Sequence, residues 1–177
     1  MSHRFSLVAL GLAAALVAFA CTDQPLTSPD TLSVSQNFAA NPVVERATGS
    51  GHFDDFRFPP DPNLRTFSFT ALGRVDGSTT GQWQLQNHNF PVRVHGVIEC
   101  ISVNGNSAWF AGTTTLSDDE ANVGVIRAFR VVDNGEGSGA AADEVSFTPA
   151  VGDAQAWCDA QIQIGTNPIE EGNVQIR

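Results

Sequence analysis

The feature that most limits the fold is strict alternation of apolar and polar residues, repeated in short segments after Val43. Thr66-Phe67-Ser68-Phe69-Thr70-Ala71 places Phe67, Phe69 and Ala71 on one side. Gln82-Trp83-Gln84-Leu85-Gln86 does the same for Trp83 and Leu85. Cys158, Ala160, Ile162 and Ile164 share one parity against Asp159, Gln161 and Gln163, and Val174 and Ile176 alternate with Gln175 and Arg177. Successive side chains of a strand point to opposite faces, so these segments predict half-buried antiparallel strands. No stretch past the N-terminal run keeps helical spacing over three turns.

About nine strands are expected, over 43–53, 66–73, 80–87, 91–103, 106–115, 122–132, 143–148, 156–164 and 172–177. Many short strands between turn signals suggest a small barrel or a sandwich. The expectation is an all-β, barrel-like antiparallel domain over 43–177, with a β-sandwich as the alternative, because closure hides the edges of a long twisted sheet. Glycines in Thr48-Gly49-Ser50-Gly51-His52-Phe53 suggest tight bending or close backbone approach.

One hairpin is signalled locally. Val103-Asn104-Gly105-Asn106 lies between apolar runs, and Asn-Gly is the favoured type I′ pair. A two-residue loop at Asn104-Gly105 sets Cys100 opposite Trp109 and Ile98 opposite Ala111. These four then share a face with Val92, Val94 and Gly96. Ile101, Val103, Ala108 and Phe110 occupy the other face, so the hairpin should be covered on both sides, by the core and by a loop.

The N-terminus has a different character. Arg4 precedes an uncharged apolar run from Phe5 to Ala20, the pattern of a secretory signal peptide over 1–20. A permanent span needs about 20 apolar residues, and this run is shorter and ends at Thr22-Asp23-Gln24-Pro25. Ala18-Phe19-Ala20 fits ordinary signal peptidase. Val17-Ala18-Phe19-Ala20-Cys21 also resembles a bacterial lipobox, which implies lipid attachment at Cys21. Of the three cysteines, Cys21, Cys100 and Cys158, lipidation of the first leaves two. An oxidising compartment favours a Cys100–Cys158 disulfide; the alternative is two buried free thiols. Residues 21–42 are rich in Ser, Thr, Pro and Asp and read as a flexible lipid-anchored tether.

Charge narrows the partners. The chain carries −10, and loss of Arg4 makes the mature part −11; lysine is absent. Nucleic acid and anionic lipid need clustered cations, and the arginines are scattered in sequence. Membrane contact would therefore come through the N-terminal lipid.

Sequence signals for chemistry are sparse. Asp133, Glu136 and Asp143 flank Asp133-Asn134-Gly135-Glu136-Gly137-Ser138-Gly139. Carboxylates on flexible glycines can wrap Ca²⁺, but Asp, Asn and Gly also favour plain turns. His52, His88 and His95 lack zinc spacing. No nucleophile elbow or phosphate-cradling loop is present. No catalytic residues are therefore expected, and no cofactor other than a Ca²⁺ ion at Asp133, Glu136 and Asp143. Trp83 and Trp109, with Trp157, Phe110 and Phe129, either line an apolar ligand cavity or fill an ordinary core. Phe56 and Phe58, in a Pro-rich loop, would mark a contact surface if exposed.

Gly49-Ser50-Gly51-His52-Phe53, Phe67-Ser68-Phe69, the run from Val97 to Gly112, Val131-Val132-Asp133-Asn134-Gly135-Glu136 and Gly172-Asn173-Val174-Gln175-Ile176 together resemble a group of small exported bacterial β-domain proteins of unknown function. The resemblance covers most of 47–177 and implies a common fold and export; it brings no catalytic residues. The functional expectation is a non-enzymatic binding or interaction domain of a cell-envelope lipoprotein. A small apolar-ligand carrier using the barrel interior is the alternative, and a secreted enzyme without a recognisable motif the second alternative.

Overall fold

The computed structural model describes residues 41–55, 63–146 and 148–177. The expected signal peptide over 1–20, Cys21, the expected tether up to residue 40, Phe56 and Phe58 lie outside the described residues. The elements are β1 (Val43–Asp54), β2 (Leu64–Arg74), β3 (Thr79–Asn87), β4 (Val92–Val97), β5 (Cys100–Asn104), β6 (Ser107–Ser117), β7 (Ile126–Val132), β8 (Glu144–Ser146), β9 (Ala150–Val151), α1 (Ala154–Ala160), β10 (Thr166–Pro168) and β11 (Glu171–Ile176). All strand pairings are antiparallel, in the order β10-β8-β7-β6-β4-β3-β2-β1-β11, with β5 also on β6 and β9 on β7.

This sheet is curled and barrel-like. β10 and β11 stand at opposite ends of the strand order. Only Ile169 and Glu170 separate them in sequence, so the chain itself draws the two ends of the sheet together. Inward residues fill the middle with rings. Phe69 and Phe110 lie 4.6 Å apart, Phe110 and Phe129 4.8 Å, Trp83 and Phe129 5.1 Å. Phe53, Phe67, Phe69, Trp83, Phe110 and Phe129 are all buried, and each contributes roughly 1.5–3 kcal/mol of hydrophobic stabilisation. The expected inward parity of Phe67, Phe69, Ala71, Trp83, Leu85 and Val174 is observed. Close approach at the glycines is also observed: a Cβ on Gly51 would sit 2.4 Å from the Glu171 carbonyl oxygen.

The structure corrects three expectations. The segment 156–164 is no strand. Ala154–Ala160 is a helix capped by Asp153, whose side chain accepts from Ala156 N–H. Ala154, Trp157 and Cys158 form its buried stripe, at the i, i+3, i+4 spacing of one helical face. The Cys100–Cys158 disulfide is present, with Cα atoms 6.2 Å apart, but it ties the hairpin to this helix and not to a strand.

The hairpin loop is Gly105-Asn106, not Asn104-Gly105. Gly105 has φ +62° while Asn106 is not left-handed, as in a type II′ turn, which wants glycine first. Cys100 therefore pairs with Ala111, and Ser102 with Trp109. The register moves by an even step, so face parity survives. Cys100, Trp109 and Ala111 still share a face, and Ile101, Ala108 and Phe110 share the other. Both sides are covered, one by the aromatic core and one by α1.

The expected strand 91–103 is broken. Ile98 N–H bonds to Gly81 O and Glu99 N–H to Ala111 O, so the chain leaves β3 for a new partner. Ile98 consequently joins the main core rather than the face of Cys100. β6 is long enough to serve both halves, pairing β5 through 107–111 and β4 through 114–117.

Candidate functional site

Among the described residues the ring-filled interior opens at one end. β2, β3, β4 and β7 each continue their inward stripe past the aromatic core. Arg65 is in phase with Phe67 and Phe69, and Arg127 with Phe129 and Val131. Leu85 and Asn87 follow Trp83, opposite Val94 and Val92. These residues line a concavity of about 390 Å³ with Phe90, Asn122, Thr148 and Pro149. That volume falls within the roughly 300–1,000 Å³ of small-molecule clefts. Phe90 stands at the rim, 67% exposed. Trp83 lines the concavity, and its buried indole N–H has no hydrogen-bond partner.

The two guanidinium groups differ electrically. Arg65 Nη2 lies 3.0 Å from Oδ2 of Asp55, whose side chain is fully buried. That pair is neutral overall. Arg127 donates from Nη1 to Thr148 O at 3.3 Å and from Nη2 to Asn122 Oδ1 at 2.5 Å. Both acceptors are uncharged, and among the described residues no carboxylate pairs with it. Burial holds its pKa below the ordinary arginine value, since desolvation disfavours the charged form. Among the described residues the mouth thus presents one uncompensated positive charge beside an apolar wall.

A second concavity, of about 560 Å³, lies on the outer face of β1–β4, β6 and β11. Cross-strand rows such as Asn173-Ser50-Ser68-Gln84-His95 pave it with short polar groups. Phe69, Trp83 and Val97 also line it, but none of its lining residues carries a fixed charge that would orient a ligand.

The carboxylates at Asp133, Glu136 and Asp143 all accept hydrogen bonds. Asp143 accepts from Val174 N–H at 2.7 Å and Asn134 N–H at 2.8 Å. Asp133 accepts from Ile176 N–H at 3.0 Å and Gly135 N–H at 2.9 Å. Glu136 takes the Asn173 side-chain amide at 2.8 Å. Val174 and Ile176 point these N–H groups away from β1, along the free edge of β11. The carboxylates satisfy that edge where the sheet's two ends meet, as buried or edge N–H groups require. Among the described residues no three His, Cys, Asp or Glu side chains are grouped to hold a metal.

Trp109 lies away from the mouth, under α1. Its indole donates to Ile162 O at 2.9 Å, and Arg130 stacks 5.7 Å from its ring. Trp157 donates to Phe129 O at 3.2 Å. Of the aromatic ligand candidates among the described residues, only Trp83 reaches the mouth. Sequence reasoning missed Arg65 and Arg127, although their parity with buried phenylalanines was the available signal. Comparison with protein-family models, curated proteins and solved structures finds no match to this chain.

Proposed function

We propose that this chain is an exported, lipid-anchored, non-enzymatic binding protein whose ligand enters the barrel mouth. The carrying observation is the mouth itself: an open concavity with an apolar wall and a half-buried Arg127 whose partners are all neutral. A half-buried charge without an opposite partner is costly, and proteins keep such groups where they bind something. The Cys100–Cys158 disulfide supports an oxidising compartment. Among the described residues no helix is long and apolar enough to cross a membrane; attachment in this reading is through Cys21.

Two measurements test the reading. Amide NMR spectra under a small-molecule library should show shifts converging on Leu85, Val92, Val94 and Arg127; shifts confined to the outer polar face would move the site there. Cys21→Ser should release the protein from membranes, and continued membrane association would remove the anchor.

A further inference from the structure

We infer that the mouth binds a medium-chain carboxylic acid, with its carboxylate on Arg127 and its apolar tail against Leu85, Val92, Val94 and Trp83. This rests on the mouth being the binding site and adds the class of ligand.

Charge decides the head group. Any occupant that displaces water from the mouth further desolvates Arg127. A neutral ligand leaves that cost standing, and a cation adds repulsion. A carboxylate offsets it through charge-assisted hydrogen bonds, and guanidinium matches carboxylate geometry in a bidentate fork. The hydrogen bonds of Arg127 to Thr148 and Asn122 use Nη1 and Nη2 once each, while a guanidinium carries five donors. Donors therefore remain for a ligand.

The amount of charge limits the ligand to a monoanion. Arg65 is already paired with Asp55, so among the described residues the mouth supplies one net positive charge. A phosphate dianion would meet too little compensation there, inside a chain of net charge −10. The wall decides the tail. Leu85, Val92, Val94 and the Trp83 ring are aliphatic or aromatic, and burial of apolar surface favours an apolar tail there. Phe90, exposed at the rim, can cover the tail's outer portion.

Calorimetric titration of decanoate, decanol and decyltrimethylammonium into the purified protein with its disulfide intact tests this. Decanoate should bind one-to-one, at least tenfold more tightly than either of the other two, with amide shifts at Leu85, Val92 and Val94. Arg127→Gln should cost decanoate at least tenfold and leave decanol unchanged, and Arg127→Lys should retain part of the preference. If Arg127→Gln does not fold, the three-ligand comparison on the unaltered protein is decisive by itself. Equal binding of decanoate and decanol, with shifts at the mouth, overturns the carboxylate and leaves the mouth as the site. Absence of shifts at the mouth with all three overturns both.

Discussion

The two halves of the sheet bury their side chains differently. β1 to β4 with β11 keep one apolar face and one polar face. Phe67, Phe69, Trp83 and Leu85 go in, while Gln82 and Gln84 stay exposed and Ser68 and Thr70 lie half-buried on the outer side. β5 to β7 are apolar on both sides. Ile101, Phe110 and Phe129 face the rings, while Cys100, Trp109, Ala111 and Ala128 meet α1. Small residues at Ala111 and Ala128 let a helix approach closely. A one-sided sheet needs only its own curl to cover it; a two-sided sheet needs an extra layer, and α1 is that layer.

If α1 belongs to the second half only by virtue of its tether, cutting the tether should tell. The disulfide joins residues 58 apart, and a loop of that size contributes about 4 kcal/mol by restricting the unfolded chain. Replacing both Cys100 and Cys158 by Ser should lower unfolding stability by about that much in denaturant titration. Amide exchange should rise first in Ala154–Ala160. A loss below about 1 kcal/mol would mean that helix packing alone holds the layer.

The seam between the halves should respond next. Asp143 is 7% exposed and accepts two backbone N–H groups, one of them on β11. Asp143→Ala strands the buried Val174 N–H and should cost about 3 kcal/mol, because hydrogen bonds to charged acceptors are the strong ones. Increased exchange at Val174 with β1 and β2 unchanged is the local sign. Equal loosening of both halves would make the carboxylate part of a common core rather than a seam.

Legibility in sequence follows the same divide. Where one face meets water, alternation states which residues go in, and β1, β2, β3 and β11 fall close to their expected ranges. Where both faces are buried, alternation carries no inside or outside, and the second half is harder to read. The run Cys158-Asp159-Ala160-Gln161-Ile162 alternates by coincidence. Its better signals are Asp153 as an N-cap and the alanines at 154, 156 and 160, which favour helix. β9 and β10 are too short to show periodicity. At the mouth, parity alone points Arg65 and Arg127 inward. That they share one opening depends on which strand ends meet, which is a property of topology and not of local pattern. The hydrogen bonds of the seam carboxylates are hidden in sequence for the same reason: their partners lie on β11, 31 and 43 residues away.

A smaller effect isolates the helix from its tether. Asp153→Ala removes the cap on Ala156 N–H and should cost about 1 kcal/mol. In the disulfide-free background the combined loss should fall short of the sum of the single losses if α1 forms only when tethered to the sheet, because an undocked helix has no cap to lose. Simple additivity would show that cap and tether act independently.

The smallest expected effect sits on the one-sided half, at the β2–β3 turn. Asp76 is fully exposed, yet its pKa is lowered from 3.8 to about 2, chiefly by hydrogen bonds from the Ser78 side chain and backbone, then by Asn41, with Arg74 adding charge attraction. Its Oδ1 accepts from Ser78 N–H at 2.8 Å. A lowered folded pKa means the folded state prefers the ionised form. The contribution is therefore full above the unfolded value of 3.8 and fades as pH falls through about 2. Asp76→Asn should reduce stability slightly at pH 7, and the gap from the unaltered protein should close between about pH 4 and pH 2. The Asp76 carboxyl carbon, followed by NMR, should titrate with a midpoint near 2. A midpoint near 4 would mean the turn is open in solution, so that Asn41 no longer holds it. The one-sided half would then begin past Pro42 without the contact that fixes the first strand to the turn.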